Sequence, residues 1–200
     1  MSRELVVAHY NEDLNWLNFI KEHFPNVKIT VYTKGKTSWD NALKLKNVGR
    51  ESHTYLTHII ENYNNLSQFT TFIQGNPFEH CGIEHVINLL TVDPGECVYP
   101  SSPIRPDGNE KFVEIESKYP VKDSNGNMGQ WWFKIFGKPI NSVFAVWNAQ
   151  FTVRKELIKN RSLEFYKNAI STVDHDQTPE ECHFFERAWG SFFKDSFFVF

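Results

Sequence analysis

Leu5-Val6-Val7-Ala8-His9-Tyr10 is a short run of β-favouring residues that stops at the polar Asn11-Glu12-Asp13, after which Leu14, Trp16, Leu17 and Ile20 recur at near-helical spacing. Val27-Lys28-Ile29-Thr30-Val31-Tyr32 is a second strand, introduced by Pro25-Asn26 and stopped at Lys34-Gly35. Strand, helix and strand joined by short turns form a βαβ unit, so the two strands should lie parallel. A parallel sheet is buried by helices, and this opening therefore predicts an α/β fold.

The rest of the chain extends that pattern. Tyr55, Leu56, Ile59, Ile60 and Tyr63 mark one face of a helix over 49–63, with Asn47-Val48-Gly49 as its cap region. Phe69-Thr70-Thr71-Phe72-Ile73 is a third strand ending at Gln74-Gly75-Asn76-Pro77, where proline cannot donate to a ladder and the chain must leave the sheet. A helix over 83–90 follows. Turn signals crowd the stretch 91–129, including Asp93-Pro94-Gly95, Pro106-Asp107-Gly108 and Asn125-Gly126-Asn127, which reads as a loop-rich excursion rather than a second domain. Val143-Phe144-Ala145-Val146 reads as a buried strand, 154–170 as one helix with Leu157, Ile158, Phe165 and Tyr166 inward, and about 179–193 as a last helix opening on Pro179-Glu180-Glu181. One domain spanning 1–200 is expected.

Composition narrows the function classes. With 40% hydrophobic and 16% aromatic residues the chain can bury one substantial core. Its formal charge is -3 and its basic residues are scattered rather than clustered, which argues against nucleic acid as a partner. Cys81, Cys97 and Cys182 are odd in number and none has CxxC spacing, so reduced thiols are expected rather than a disulfide framework. The start Met1-Ser2-Arg3-Glu4-Leu5 has no long apolar stretch and no later window is long enough to span a bilayer, so a cytoplasmic location without a membrane span is expected.

In an open parallel sheet, ligands bind at the carboxyl ends of the strands. The candidates are Tyr10, Asn11 and Glu12 after the first strand, Lys34 after the second, and Gln74, Gly75 and Asn76 after the third. Each turn alone could equally be a solvated turn. In Asn47-Val48-Gly49-Arg50-Glu51, a glycine before a helix would let a phosphate approach N-terminal amides while Arg50 adds charged donors; the plainer reading is a helix cap with an exposed arginine. His80 and His85 are five apart, unlike the pair in the HExxH zinc helix, which leaves His80 as a phosphate or sugar donor. Glu186, among Phe184, Phe185 and Trp189, needs a partner such as Arg187 or Arg50, or a catalytic task.

The stretches Glu4-Leu5-Val6-Val7-Ala8-His9-Tyr10-Asn11-Glu12-Asp13, Asn47-Val48-Gly49-Arg50-Glu51, Phe72-Ile73-Gln74-Gly75-Asn76-Pro77-Phe78-Glu79-His80 and Phe185-Glu186-Arg187-Ala188-Trp189 together resemble the uncharacterised family known as the domain of unknown function 3431. More distantly, the chain is similar to glycosyltransferases of the GT-A type. That similarity implies a Rossmann-like three-layer sandwich with a mostly parallel central sheet. It also implies a nucleoside diphosphate sugar held by Tyr10, Asn11, Glu12, Lys34, Asn47, Gly49, Arg50, Glu51, Gln74, Gly75, Asn76 and His80. A glycan or other hydroxyl acceptor would lie against Gln150 and Arg187, with Glu186 as the base. Such enzymes hold a divalent cation, manganese or magnesium, on an Asp-x-Asp motif, and here Gln74-Gly75-Asn76 stands in its place. Amides are weak ligands for hard cations, so Arg50, Lys34 and His80 would carry the charge of the leaving diphosphate. The alternative is a non-catalytic carbohydrate- or nucleotide-binding module, for which Trp131-Trp132-Phe133 would supply aromatic surface unless those rings pack in the core.

Overall fold

Strand β1 (Arg3–His9) runs parallel to both of its neighbours, β2 (Val27–Thr33) and, across β3 (Leu43–Lys44) in chain order, β4 (Phe69–Gln74). Arg3 is level with Val27 on one side and with Phe69 on the other, so the three strands end together. The computed structural model describes residues 1–79, 81–94, 99–100, 128–138 and 146–193. Within them the sheet has the order β3-β2-β1-β4-β6-β5; β6 (Phe151–Arg154) runs antiparallel to β4, and β5 (Tyr99–Pro100) antiparallel to β6. The fold is α/β with a mostly parallel sheet, as the opening βαβ unit requires.

Alternation along β1 divides the core in two. Leu5 and Val7 point to one face, where they meet Leu17 and Ile20 of α1 (Trp16–His23) and Val86, Leu89 and Leu90 of α3 (Ile83–Thr91). Val6 points to the other, with Phe72 and Phe151, against Tyr55, Leu56 and Ile59 of α2 (Arg50–Asn62) and Phe185 and Trp189 of α7 (Glu181–Phe192). The second core is aromatic: the rings of Tyr55 and Phe72 lie 4.9 Å apart and those of Phe151 and Trp189 5.5 Å apart, each such ring burying ~150–250 Å². On that face α4 (Met128–Phe136), α5 (Lys155–Lys159) and α6 (Leu163–Ile170) complete the helical layer.

A carboxylate is buried within this frame. Glu4 on β1 is 2% exposed and accepts hydrogen bonds from Thr30 Oγ1 (2.7 Å) and Ser67 Oγ (3.1 Å), with Lys28 Nζ at 2.8 Å, so its charge is paired. His58 of α2 faces it, fully buried, with Nε2 3.9 Å from Glu4 Oε1 and Nδ1 3.2 Å from the Tyr32 hydroxyl. Burial pushes His58 down to about 4, so the ring is neutral at neutral pH.

Several expectations change. The helix over 154–170 is three pieces: β6 takes Arg154, α5 ends at Lys159, and α6 restarts at Leu163 behind Ser162, whose Oγ accepts the Phe165 N–H at 3.2 Å. A capping serine inside a helical pattern starts a new helix. Trp131 and Trp132 are 6% and 3% exposed and belong to the core, and only Phe133 of that run faces outward. Residues 143–145, most of 91–129, Cys97 and His80 lie outside the described residues; Cys81 and Cys182 are free and buried. Among the described residues no helix is long and apolar enough to cross a membrane.

Candidate functional site

Because β1, β2 and β4 end at one level, the turns that follow them converge, and a cleft of about 380 Å³ opens there. Its wall includes His9 at the end of β1 with Tyr10 and Glu12 after it, Lys34 after β2, and Gln74 at the end of β4 with Asn76 after it. The first turns of α2 supply Arg50, Glu51 and Thr54, and Asn47 lies just before them.

The rim is built by backbone knots. Lys34 N donates to His9 O (2.9 Å) and Gly75 N to Ala8 O (2.8 Å), extending the ladder one residue beyond the strands on either side of β1. Glu12 then folds back so that its Oε2 accepts the amides of Tyr10 (2.7 Å) and Asn11 (3.1 Å). Asn11 Oδ1 in turn accepts the Lys36 amide at 3.0 Å, and Trp16 Nε1 donates to Gly75 O at 2.9 Å. Asn11 and Gly75, both expected to touch a ligand, are instead parts of this scaffold and do not line the cleft. His9 is 3% exposed and fixed between Thr33 Oγ1 (2.9 Å) and Glu12 O (3.1 Å).

The turn before α2 is the second scaffold. Gly49 and Arg50 both take left-handed backbone, with φ of 60° and 43°. A Cβ at 49 would lie 2.5 Å from Val173 O, so the position needs glycine for space as well as for conformation. The amides of Gly49 and Arg50, expected to receive a phosphate, are taken by Asp176 O (2.8 Å) and Gln177 O (3.3 Å). Those bonds draw the segment around 176–178 to the cleft, where Gln177 and Thr178 join the wall. What remains for a ligand is the charge of the turn. Lys34 Nζ donates to Val48 O at 2.5 Å and to Arg50 O, and Arg50 Nε lies 3.7 Å from Glu51 Oε2.

These contacts shift proton affinities. Burial lowers the Lys34 ammonium to about 8, against the opposing pull of Glu51 and Cys182. Burial raises the Glu51 carboxyl, whose side chain is 12% exposed; Arg50 and its own backbone N–H pull it down, Glu186 pushes it up, and Lys34 pulls it down. Burial likewise lowers His53 to about 4, with Lys34 acting in the same direction and Asp174 against it. The Thr54 hydroxyl, in a residue 1% exposed, has no hydrogen-bond partner among the described residues although the residue lines the cleft.

Three other expected residues lie elsewhere. Glu186 is not in the cleft wall; its Oε1 accepts the Asn148 amide at 2.7 Å, and Arg187 Nη1 lies 3.8 Å from its Oε2. Arg187 also donates to His183 O at 2.7 Å. Gln150 is fully buried, where its Oε1 accepts from Cys81 Sγ (3.1 Å) and its Nε2 donates to Pro77 O (3.4 Å), bracing the turn that carries Glu79 into the wall. Sequence reasoning did not select Thr54, Gln177 or Thr178. Thr54 follows Arg50 and Glu51 at helical spacing on the same face, a signal that was available, whereas Gln177 and Thr178 arrive through long-range backbone bonds that no local pattern encodes.

Among the described residues no three His, Cys, Asp or Glu side chains come together to hold a metal ion. Glu12 is turned onto backbone amides, and Glu79 Oε1 accepts from Asn76 Nδ2 at 3.2 Å. This donor set does not fit a divalent cation of the kind an Asp-x-Asp motif holds.

Fold and cleft together define an α/β protein with a polar, mixed-charge pocket at the carboxyl ends of its parallel strands. The pattern of a family described as "Protein of unknown function (DUF3431)" matches residues 5–93, the segment that carries β1, β2, β4 and the first turns of α2. No curated protein and no solved structure matches the chain.

Proposed function

We propose that the cleft binds a nucleoside diphosphate sugar and that the protein is a glycosyltransferase-like enzyme, passing the sugar to a hydroxyl acceptor such as a glycan. The observation that carries this reading is the meeting of two cationic side chains, Lys34 and Arg50, with the buried carboxyl of Glu51 in one pocket of about 380 Å³. Cations fixed in a partly buried site stabilise the charge that develops on a departing diphosphate, and their positions are set before ligand arrives. Lys34 is held by two backbone carbonyls, so its ammonium does not have to be ordered by binding, and the left-handed turn sets where the Arg50 side chain leaves the backbone. Tyr10, half exposed at the rim, offers a ring against which a base can stack.

In this reading the diphosphate is neutralised by side chains, without a cation. A thermal-shift screen of UDP-glucose, UDP-N-acetylglucosamine and GDP-mannose, each with and without manganese, tests it. A ligand at 100 times its Kd adds about 2.7 kcal/mol to stability, a rise of several degrees in Tm. The expected result is a shift that is selective for one nucleotide, independent of manganese, and lost in Arg50→Ala. No shift with any nucleotide sugar rejects the reading.

A further inference from the structure

We propose that Glu51, together with Thr54, is the pair that receives the acceptor hydroxyl, with Glu51 as the general base. This inference rests on the reading of the cleft as a sugar-nucleotide site. It assigns the proton transfer to a residue that sequence patterns had placed among the donor contacts, and gives the acceptor a place in the same pocket.

Glu51 and Thr54 are three residues apart on α2, so their side chains lie on one face, and both line the cleft. Among the described residues the hydroxyl of Thr54 has no partner, which is costly for a residue 1% exposed. A threonine hydroxyl left unpaired beside a cavity gains a partner when rotation about χ1 turns it to an incoming ligand oxygen. Glu51 offers the complementary group: a carboxylate accepts the hydrogen of an incoming alcohol while Thr54 Oγ1 donates to the same oxygen. An alcohol oxygen uses both a donor and an acceptor at a single atom. A phosphate oxygen would use Thr54 but be repelled by Glu51.

The charges around Glu51 suit it to this task. Arg50 faces it from α2, Lys34 from the end of β2, and Glu186 and Cys182 from α7, with Tyr55 behind it on its own helix. Its burial and the nearby Glu186 carboxylate strengthen it as a base, whereas a solvated glutamate is too weak to deprotonate an alcohol efficiently. Glu186 itself is bonded to the Asn148 amide, an αL residue with φ of 65°, and keeps that turn in place.

The step balances as follows. The acceptor O–H bond breaks and its proton passes to a Glu51 carboxylate oxygen. The acceptor oxygen forms the new bond to the anomeric carbon of the donor as the bond from that carbon to the diphosphate oxygen breaks. The electron pair leaves with the diphosphate, whose charge rests on Lys34 and Arg50. With water as acceptor the same step is hydrolysis of the donor.

Release of nucleoside diphosphate from the donor selected by the thermal-shift screen measures this directly, with water and then with simple glycosides as acceptors. Glu51→Gln is expected to lower the rate by roughly 10²–10⁴-fold while its donor-induced Tm shift remains, and Thr54→Val by roughly 2- to 10-fold. Added formate should restore part of the rate to Glu51→Ala, which a purely structural defect would not allow. If donor binds and Glu51→Gln turns over at the wild-type rate, the base assignment fails by itself. If the wild-type protein binds no nucleotide sugar, the function and this assignment fall together.

Discussion

The Lys34 ammonium is 2.5 Å from the carbonyl oxygen of Val48, and a second bond to Arg50 O makes it the brace of the left-handed turn that opens α2. One side chain thus fixes the geometry of Arg50 and Glu51 and contributes a positive charge to the pocket they share. Structure and electrostatics at this site are coupled through a single titratable group.

That coupling predicts pH-dependent binding of an anion in the cleft. Burial lowers Lys34 to about 8, so its charge is complete well below that pH and is lost as pH rises through it. Affinity for a nucleoside diphosphate, measured by titration calorimetry between pH 6.5 and 9, should therefore fall on the alkaline side. Lys34→Met should bind more weakly at neutral pH and show a flat profile there. An alkaline fall that persists in Lys34→Met would assign the titration to another group.

Acid should destabilise the fold through two histidines. His53 and His58 are each lowered to about 4 by burial, while in the unfolded chain a histidine titrates near its ordinary value of about 6.5. Between those limits the unfolded state binds protons that the native state does not, so stability decreases as pH falls from about 6.5 to about 4. For the fully buried His58 the loss is on the order of 3 kcal/mol. Urea denaturation at pH 7 and pH 4.5 measures it, and His58→Gln should reduce the difference between the two midpoints.

How much of this was legible follows from the range of the interactions involved. Val6, Val7, Val31 and Ile73 sit in apolar, β-favouring runs closed by polar turns, so β1, β2 and β4 are written locally, and the rule that ligands meet strand ends then selects Tyr10, Lys34 and Gln74. Arg154 to Ile170 reads as one helix because its apolar spacing continues through the break, and the two residues of β3 are too short to signal at all. The site blurred for the same reason. Asn11 and Gly75 have the residue types of ligand contacts but spend their polar groups on neighbouring turns, and Gln150 spends its amide on Pro77 and Cys81. A polar residue's partner is a tertiary fact, and sequence shows only that one is needed.

The break between α5 and α6 carries its own test. Ser162 Oγ accepts the Phe165 amide, and replacing such a cap with alanine costs ~1 kcal/mol. Ser162→Ala should lower Tm by a few degrees, and Ser162→Asp, which keeps an acceptor at the cap, should recover it. Equal stability of wild type and Ser162→Ala would mean that tertiary packing of Tyr166 and Ala169 alone sets the start of α6.

Two glycines of the rim should respond differently to the same substitution. At Gly35 a Cβ would lie 2.0 Å from the backbone oxygen of Tyr10 and 2.8 Å from its carbonyl carbon, and backbone yields less readily than the end of a side chain, so Gly35→Ala should destabilise by several kcal/mol or prevent folding. At Gly75 the nearest atom is Glu12 Oε2 at 2.6 Å, the end of a side chain that can rotate away. Its departure releases the amides of Tyr10 and Asn11, which are exposed and can bond to water, so Gly75→Ala should cost only about 1–2 kcal/mol. The discriminating measurement is a double-mutant cycle by chemical denaturation. Glu12→Ala already loses the bonds that Gly75→Ala disrupts, so the double variant should be no less stable than Glu12→Ala, whereas full additivity would show that the strain at Gly75 is carried by the backbone.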